Sequence, residues 1–187
     1  YNKDIFSSAG IAQPPTTWEQ FVDDVKKITT YDASRNITRS AAALGTARNI
    51  NRSTDIVMML MLQSGVRMTN TDQSQATFAR SVDGTPAGEN VLQFYTDFAN
   101  PQRTSYTWNE SMNYSFDAFV SGATAMMINY EHQRAALQSA APRLRWAVAP
   151  IPQASAADKR TYANYWAMVV SSKSKSPDAA WRFVHYL

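Results

Sequence analysis

Short apolar segments alternate along this chain with longer segments of helical period, and this alternation limits its fold more than any other feature. Each apolar segment has the length of one buried strand, whereas the intervening segments repeat apolar residues every three or four positions. Strands separated by helices are typical of layered domains in which helices cover a largely parallel sheet. The sequence therefore predicts the α/β class, with strands at residues 41–44, 123–128, 145–149 and 165–170.

The best-defined helix begins after Thr17. Thr17 can cap the helix, and Gln20 completes a capping box three residues later. Apolar residues then recur at helical spacing as far as Ile28, while the acidic and basic residues fall between them. This pattern predicts an amphipathic helix with one buried face.

A second helix is predicted over residues 55–64, capped by Ser53 or Thr54. Gly65 stands where a left-handed residue commonly ends a helix. The segment is apolar on nearly every face, which predicts deep burial.

The remaining predictions are more local. We expect a loop at residues 31–39, a short edge strand at 75–81, and further helices that begin near Pro86, Asn113 and Ser176. Another helix is expected to follow residue 132 and run through Leu137. No internal repeat is visible.

The composition excludes several classes of protein. The 187 residues include 18 Lys and Arg against 15 Asp and Glu, for a net charge of +3, and 44% are hydrophobic. Such a chain has enough apolar surface to fold and too little positive charge to indicate a nucleic-acid partner. The absence of cysteine excludes disulfides and thiolate metal sites. The longest apolar run, residues 56–62, is too short to span a bilayer. Because the chain begins with Tyr1 and stops within a helical pattern, we expect a fragment.

Three junctions between strands and helices, at residues 48–54, 129–132 and 163–166, combine polar side chains with aromatic rings or arginine. Ligands of α/β domains bind at such junctions. Aromatic faces stack on the C–H surfaces of a sugar, while amide, carboxylate and guanidinium groups bind its hydroxyls. The candidate ligand-binding residues are Arg48, Asn49, Asn51, Arg52, Trp108, Tyr130, Glu131, His132, Asn164, Tyr165 and Trp166.

Each candidate also has a structural interpretation. Arg48 and Arg52 suit a solvated loop, and residues 130–132 could cap the next helix. Trp108 and Trp166 could instead belong to the core. No nucleotide-binding, zinc-protease or serine-hydrolase motif occurs, so we expect neither catalytic residues nor a metal or cofactor. A glycoside hydrolase that uses a carboxylate pair remains an alternative, and a scaffold without a ligand is a third.

Several segments, taken in order, resemble one family. They are Tyr1–Phe6 with Ala9–Ile11 and Pro14–Phe21, Leu62–Gly65, Phe116–Gly122 with Ala125–Ile128, Val148–Pro152, and Trp166 with Ser172–Trp181. Together they resemble the extracellular solute-binding proteins of ABC importers, of the maltose-binding-protein type.

The resemblance implies a periplasmic-binding-protein-like fold of type II, in which two α/β lobes close about a hinge on a solute. It implies that residues 1–153 form the ligand-binding lobe two, and that residues 154–187 cross over and return in part to an incomplete lobe one. The solute is expected to be a carbohydrate, handed to an ABC permease in the membrane. The implied location is extracytoplasmic, either periplasmic or anchored at the cell surface.

The resemblance also locates the expected site. The ligand shelf falls at His132 with Tyr130 and Glu131 beside it, and the binding loop of lobe two falls on residues 48–52. An incomplete lobe would leave apolar surface exposed, which could mediate self-association. We expect this surface around Trp166, Val169, Trp181 and Val184.

Overall fold

The computed structural model describes residues 1–187 and contains seven helices and three short strands. Their order is α1 (Lys3–Ser8), α2 (Trp18–Ile28), β1 (Thr30–Tyr31), β2 (Ile37–Ala42), α3 (Ser53–Gln63), α4 (Ala87–Asp97), α5 (Ser115–Val120), β3 (Thr124–Met126), α6 (Gln133–Ala140) and α7 (Pro177–Tyr186).

The three strands form one sheet in the order β1-β2-β3. The pairing of β1 with β2 is antiparallel, whereas β2 and β3 are parallel, with Ser40 opposite Thr124. The predicted α/β class is confirmed, and the sheet is mixed. The loop predicted at residues 31–39 is wrong in part, because β1 and β2 form a hairpin. Its turn is held by the Asp32 carboxylate, which accepts hydrogen bonds from the backbone N–H groups of Ser34 and Asn36.

Three predicted strands do not form. Residues 145–149 exchange only a few backbone hydrogen bonds with Tyr1 and Lys3, which is too little pairing for a ladder. Residues 75–81 lie in exposed turns joined by a single bridge between Thr69 and Ala76. Residues 165–170 belong to no strand and make no backbone hydrogen bond, and all of them except Val170 are exposed.

The predicted amphipathic helix is confirmed as α2. Thr17 accepts a hydrogen bond from the N–H of Gln20, while the Gln20 side chain accepts from Thr16 rather than from Thr17. The buried face of α2 packs by aromatic edge-to-face contacts on α4 and the residue after it. The central core of 24 buried residues forms around these contacts. Between α2 and the sheet, buried Thr29, Ser40 and Thr124 form hydrogen bonds with one another or with Thr107.

The predicted second helix is confirmed as α3, but its beginning differs. Arg52 precedes it in the left-handed region with φ 63°, and no side chain caps the helix. The expected caps are therefore wrong, because Ser53 is already helical and its hydroxyl donates to the carbonyl of Ala47. Gly65 is left-handed as predicted, with φ +75°. The helix predicted to begin near Asn113 is α5, which begins at Ser115 and is not capped by Asn113; the Ser115 hydroxyl accepts a hydrogen bond from the Asn51 N–H.

Residues 154–187 differ from the rest of the chain in burial. None of them is buried, and α7 has no buried residue although it forms where the sequence predicts. Trp166 is fully exposed, Val169 is 80% exposed and Trp181 is 45% exposed, as expected for these three. Val184 is half-buried. The core therefore lies within the first 152 residues.

Candidate functional site

One carboxylate joins side chains from two of the three predicted junctions. Asp55, in the first turn of α3, accepts hydrogen bonds on Oδ2 from the Tyr130 hydroxyl at 2.8 Å and from the Asn164 amide at 3.2 Å. Tyr130 follows β3, and Asn164 lies in the exposed segment that leads to α7. Segments separated by 75 and 109 residues therefore converge on one oxygen atom.

The third junction contributes a cation to the same place. The guanidinium carbon of Arg52 lies 5.6 Å from the centroid of the Tyr130 ring, within the range of a cation–π contact. The His132 ring lies 5.9 Å from the Tyr130 ring and is nearly parallel to it. We refer to Arg52, Asp55, Tyr130, His132 and Asn164 as the Tyr130 cluster.

The surroundings of Tyr130 keep its hydroxyl protonated, so that it acts as a hydrogen-bond donor. Burial, followed by the hydrogen bond from its hydroxyl to the Asp55 carboxylate, raises the pKa of Tyr130 to about 12. The phenol therefore stays protonated at neutral pH and acts as the donor to Asp55. A half-buried ring is held in one orientation beside a cation, with one side of the cluster open to solvent.

Three further candidates lie near the cluster in sequence without joining its hydrogen bonds. Glu131 is exposed and forms an ion pair with Arg134 at 3.2 Å, an interaction of small energetic value at a surface. Tyr165 and Trp166 are 77% and fully exposed, and neither makes a hydrogen bond or ring contact with the cluster. A ligand role for these residues stays a prediction.

Arg48 and Asn51 lie in the loop before α3. Arg48 is exposed, and its side chain makes no hydrogen bond or ion pair within the chain. Asn51 is half-buried and is fixed by its backbone N–H, which donates to the Ser115 hydroxyl at 2.8 Å. A ligand role for these two side chains also stays a prediction.

The burial of Trp108 argues against a ligand role for it, whereas a ligand role for its partner Asn49 stays a prediction. Trp108 is completely buried, so it has no surface to offer a ligand. Its indole N–H donates to the Asn49 side-chain oxygen at 3.0 Å. The Asn49 amide donates in turn to the backbone carbonyls of Asn109 and Met112, both at 2.9 Å. The polar atoms of Asn49 are thus occupied within the protein, and both residues support the loop before α3.

A groove borders the Tyr130 cluster on its apolar side. It has a volume of about 410 Å³ and runs between the end of β3 and residues 146–152. Thirteen of its 22 lining residues are hydrophobic, and Asn129, Tyr130 and Glu131 lie on its wall. Tyr130 therefore belongs to the polar cluster and also lines the apolar groove.

The comparison with known families agrees with the resemblance seen in the sequence. The family described as bacterial extracellular solute-binding protein matches residues 1–187, which is the whole chain. The chain belongs to this family. The family that the sequence resembles is thereby confirmed.

The curated relatives that this chain matches are longer than the chain itself. A binding protein of Brucella abortus is 26% identical over 190 residues, which cover 100% of this chain and 43% of the relative. A binding protein of Brucella suis matches with the same identity and coverage. The chain therefore spans less than half the length of these relatives.

Solved structures that resemble this chain are also of longer proteins. An ABC transporter solute-binding protein from Thermotoga lettingae, bound with α-D-tagatose, is 26% identical with a TM-score of 0.66, over 100% of this chain and 46% of that protein. An ABC substrate-binding protein from Listeria monocytogenes, in complex with cycloalternan, is 20% identical with a TM-score of 0.64, over 100% and 44%. These likenesses confirm the periplasmic-binding-protein-like fold.

Sequence reasoning missed Asp55, the acceptor at the centre of the cluster. The signal was a single carboxylate in the first turn of an otherwise apolar helix, directly after a polar loop. A carboxylate at that position is also favoured by the helix dipole, so the pattern alone does not separate the two roles.

In residues 1–187, no group of three His, Asp or Glu side chains is placed to hold a metal ion, and no helix is long and apolar enough to cross a bilayer.

Proposed function

We propose that the complete protein is the substrate-binding component of an ABC importer and captures a carbohydrate outside the cytoplasm. The observation that carries this proposal is the convergence of three distant segments: Tyr130 and Asn164 share the Asp55 carboxylate, and Arg52 lies over the Tyr130 ring. Family membership supports a binding role and an extracellular location. The tagatose bound to the Thermotoga lettingae relative supports a sugar as the solute.

The chemistry of the Tyr130 cluster suits a polyhydroxylated ligand. A sugar ring has C–H faces that pack on an aromatic ring, and hydroxyls that both donate and accept hydrogen bonds. The Tyr130 and His132 rings offer aromatic surface, and the exposed Arg52 and Asn164 side chains offer donors. Each net hydrogen bond contributes about 1 kcal/mol, so several must act together for useful affinity.

The distribution of burial supports the proposed division into lobes. Residues 1–153 contain every buried residue, and we assign them to lobe two. Residues 154–187 are assigned to the crossover and to a partial return into lobe one, where apolar side chains such as Trp166 and Val169 would be covered by the rest of the complete protein. Solute would bridge the lobes and shift the open and closed populations toward the closed state, which the permease in the membrane receives.

A hydrolase is not proposed for this site. Glycoside hydrolysis needs two carboxyl groups about 5–10 Å apart in a cleft. The Tyr130 cluster contains one carboxylate, Asp55, whose Oδ2 already binds Tyr130 and Asn164. The neighbouring Glu131 carboxylate is paired with Arg134 at the surface.

Calorimetric titration of the complete protein with monosaccharides, including D-tagatose, and with short oligosaccharides tests the proposal. We expect one sugar of the panel to bind with a Kd in the micromolar range or below. The 187-residue chain alone should bind the same sugar at least about 100-fold more weakly, because it would supply only one side of the bridged contacts. Binding by the 187-residue chain within about tenfold of the affinity of the complete protein would contradict the two-lobe mechanism. No binding of any sugar by the complete protein would contradict the proposed substrate class.

A further inference from the structure

Helix α3 makes most of the hydrogen bonds that connect the core to residues 154–187. Gln63, at its last position, donates to the carbonyl oxygens of Pro152 at 3.1 Å and Arg160 at 3.0 Å. Arg160 donates in return to the Leu62 carbonyl at 3.1 Å. Asp55 holds Asn164 at the other end of the helix. The two anchoring side chains are eight residues apart, or about 12 Å along the helix axis.

Few other polar contacts attach this segment. Apart from a bond between the Arg160 N–H and the adjoining Gln153 side chain, every hydrogen bond from residues 154–187 to the earlier chain involves α3. Tyr162 adds apolar packing against the core. The orientation of the crossover relative to the core is therefore set mainly by one helix.

We infer that Asp55 is a positioning residue of the proposed sugar site, because its one carboxylate oxygen fixes both the Tyr130 ring and the crossover residue Asn164. This inference rests on the proposed function and adds a residue that the sequence analysis did not select. Tyr130 and Asn164 are both donors, so a single acceptor between them makes the position of each depend on the other. A shift of the crossover relative to α3 would then change how firmly the Tyr130 ring is held for stacking.

A charged acceptor is the appropriate group for this task. Hydrogen bonds to an ionised carboxylate are shorter and stronger than those between neutral groups. Asp55 is half-buried, and its other oxygen has only a long 3.5 Å contact with the Thr54 hydroxyl. Replacement by asparagine keeps the shape of the side chain and removes the charge, so the same two donors meet a weaker, neutral acceptor.

The test is the Asp55→Asn variant of the complete protein, compared with Asp23→Asn. Asp23 is an exposed carboxylate on α2, paired with Lys26, and serves as the matched control. We expect Asp55→Asn to weaken sugar binding about tenfold or more, as for loss of a charge-assisted hydrogen bond. The control should change affinity less than about twofold. Equal affinities for the wild type and Asp55→Asn would overturn the inference.

A second readout does not depend on sugar binding. Titration of the ¹³C-labelled Tyr130 ring by NMR in the complete protein should give a pKa near the value of about 12. Asp55→Asn should lower this pKa, because the carboxylate raises it, and burial should keep it above the ordinary value of roughly 10. Asn164→Ala should raise it, because the Asn164 amide lowers it.

The opposite signs of these two shifts separate positioning from general destabilisation. If Asp55→Asn does not fold, the exposed Asn164→Ala variant still tests the shared acceptor, and an unchanged or lower Tyr130 pKa in it would overturn the inference. If the wild type binds no sugar, the proposed function fails, whereas the two titrations still support or overturn the positioning role of Asp55.

Discussion

Replacement of Trp108 by alanine is expected to lower the free energy of unfolding by about 3–5 kcal/mol. Trp108 is completely buried, and its backbone N–H and that of Thr107 both donate to the Phe98 carbonyl, so the surrounding structure has little freedom to close the cavity. The loss of the indole N–H also removes a donor to Asn49, which holds the loop before α3. Urea unfolding of the complete protein measures the change.

Two further variants separate packing from hydrogen bonding at this site. Trp108→Phe keeps most of the aromatic volume and should cost less than the alanine variant, mainly through the lost hydrogen bond to Asn49. Phe78→Ala removes an aromatic ring that is 41% exposed and should cost less than about 1.5 kcal/mol. A Trp108→Ala variant that is no less stable than Phe78→Ala would contradict the buried position of Trp108.

Substitution of Gly45 by alanine is expected to cost about 3 kcal/mol, the second large effect on stability. Gly45 has φ +109°, and an added Cβ would lie 2.6 Å from the backbone nitrogen of Ala99 and 2.8 Å from its Cβ. The neighbouring Thr46 carbonyl accepts a 2.7 Å hydrogen bond from Tyr95, so the backbone cannot move away freely. Backbone strain and overlap therefore add.

The matched control is Gly10→Ala. Gly10 also has a positive φ of +70°, but an added Cβ there meets nothing within 4 Å. It should cost only the conformational strain of about 1 kcal/mol. Urea unfolding of both variants in the complete protein gives the comparison, and equal destabilisation would contradict the close approach of Gly45 to Ala99.

The elements predicted correctly are those whose signals are local. The Thr17 cap and the apolar face of α2 depend on about a dozen consecutive residues. The left-handed Gly65 at the end of α3 and the beginning of α7 at Pro177 depend on similarly short segments. The parallel pairing of β3 with β2 agrees with the predicted sheet in part. β3 lies within the predicted strand 123–128, whereas β2 overlaps the predicted strand 41–44 only at Ala41 and Ala42 and begins within the predicted loop. Local chemistry was sufficient in these cases.

The elements predicted wrongly depend on partners that are distant in sequence. Residues 145–149 alternate as a strand should, but their backbone pairs only with the first residues of the chain. Trp108 lies in a polar stretch that reads as a surface loop, and its burial follows from contacts with Asn49 and Phe98, far from it in sequence. No periodicity in the sequence carries such information.

The candidate site was predicted in part. The sequence identified Arg52, Tyr130 and Asn164 as members of three separate junctions. The structure joins Tyr130 and Asn164 through the Asp55 carboxylate and places Arg52 over the Tyr130 ring. It did not identify Asp55, because an acidic residue in the first turn of a helix has an adequate structural explanation.

The most direct test of the central claim follows the Tyr130 ring while sugar binds. The complete protein is prepared with ¹³C-labelled tyrosine rings, and the Tyr130 signal is assigned with the Tyr130→Phe variant. On saturation with the sugar that binds most tightly in the calorimetric panel, the Tyr130 ring signal is predicted to shift, while that of Tyr31 in the β1 hairpin stays in place. A Tyr130 signal that does not move at saturation would contradict the assignment of the binding site to this cluster.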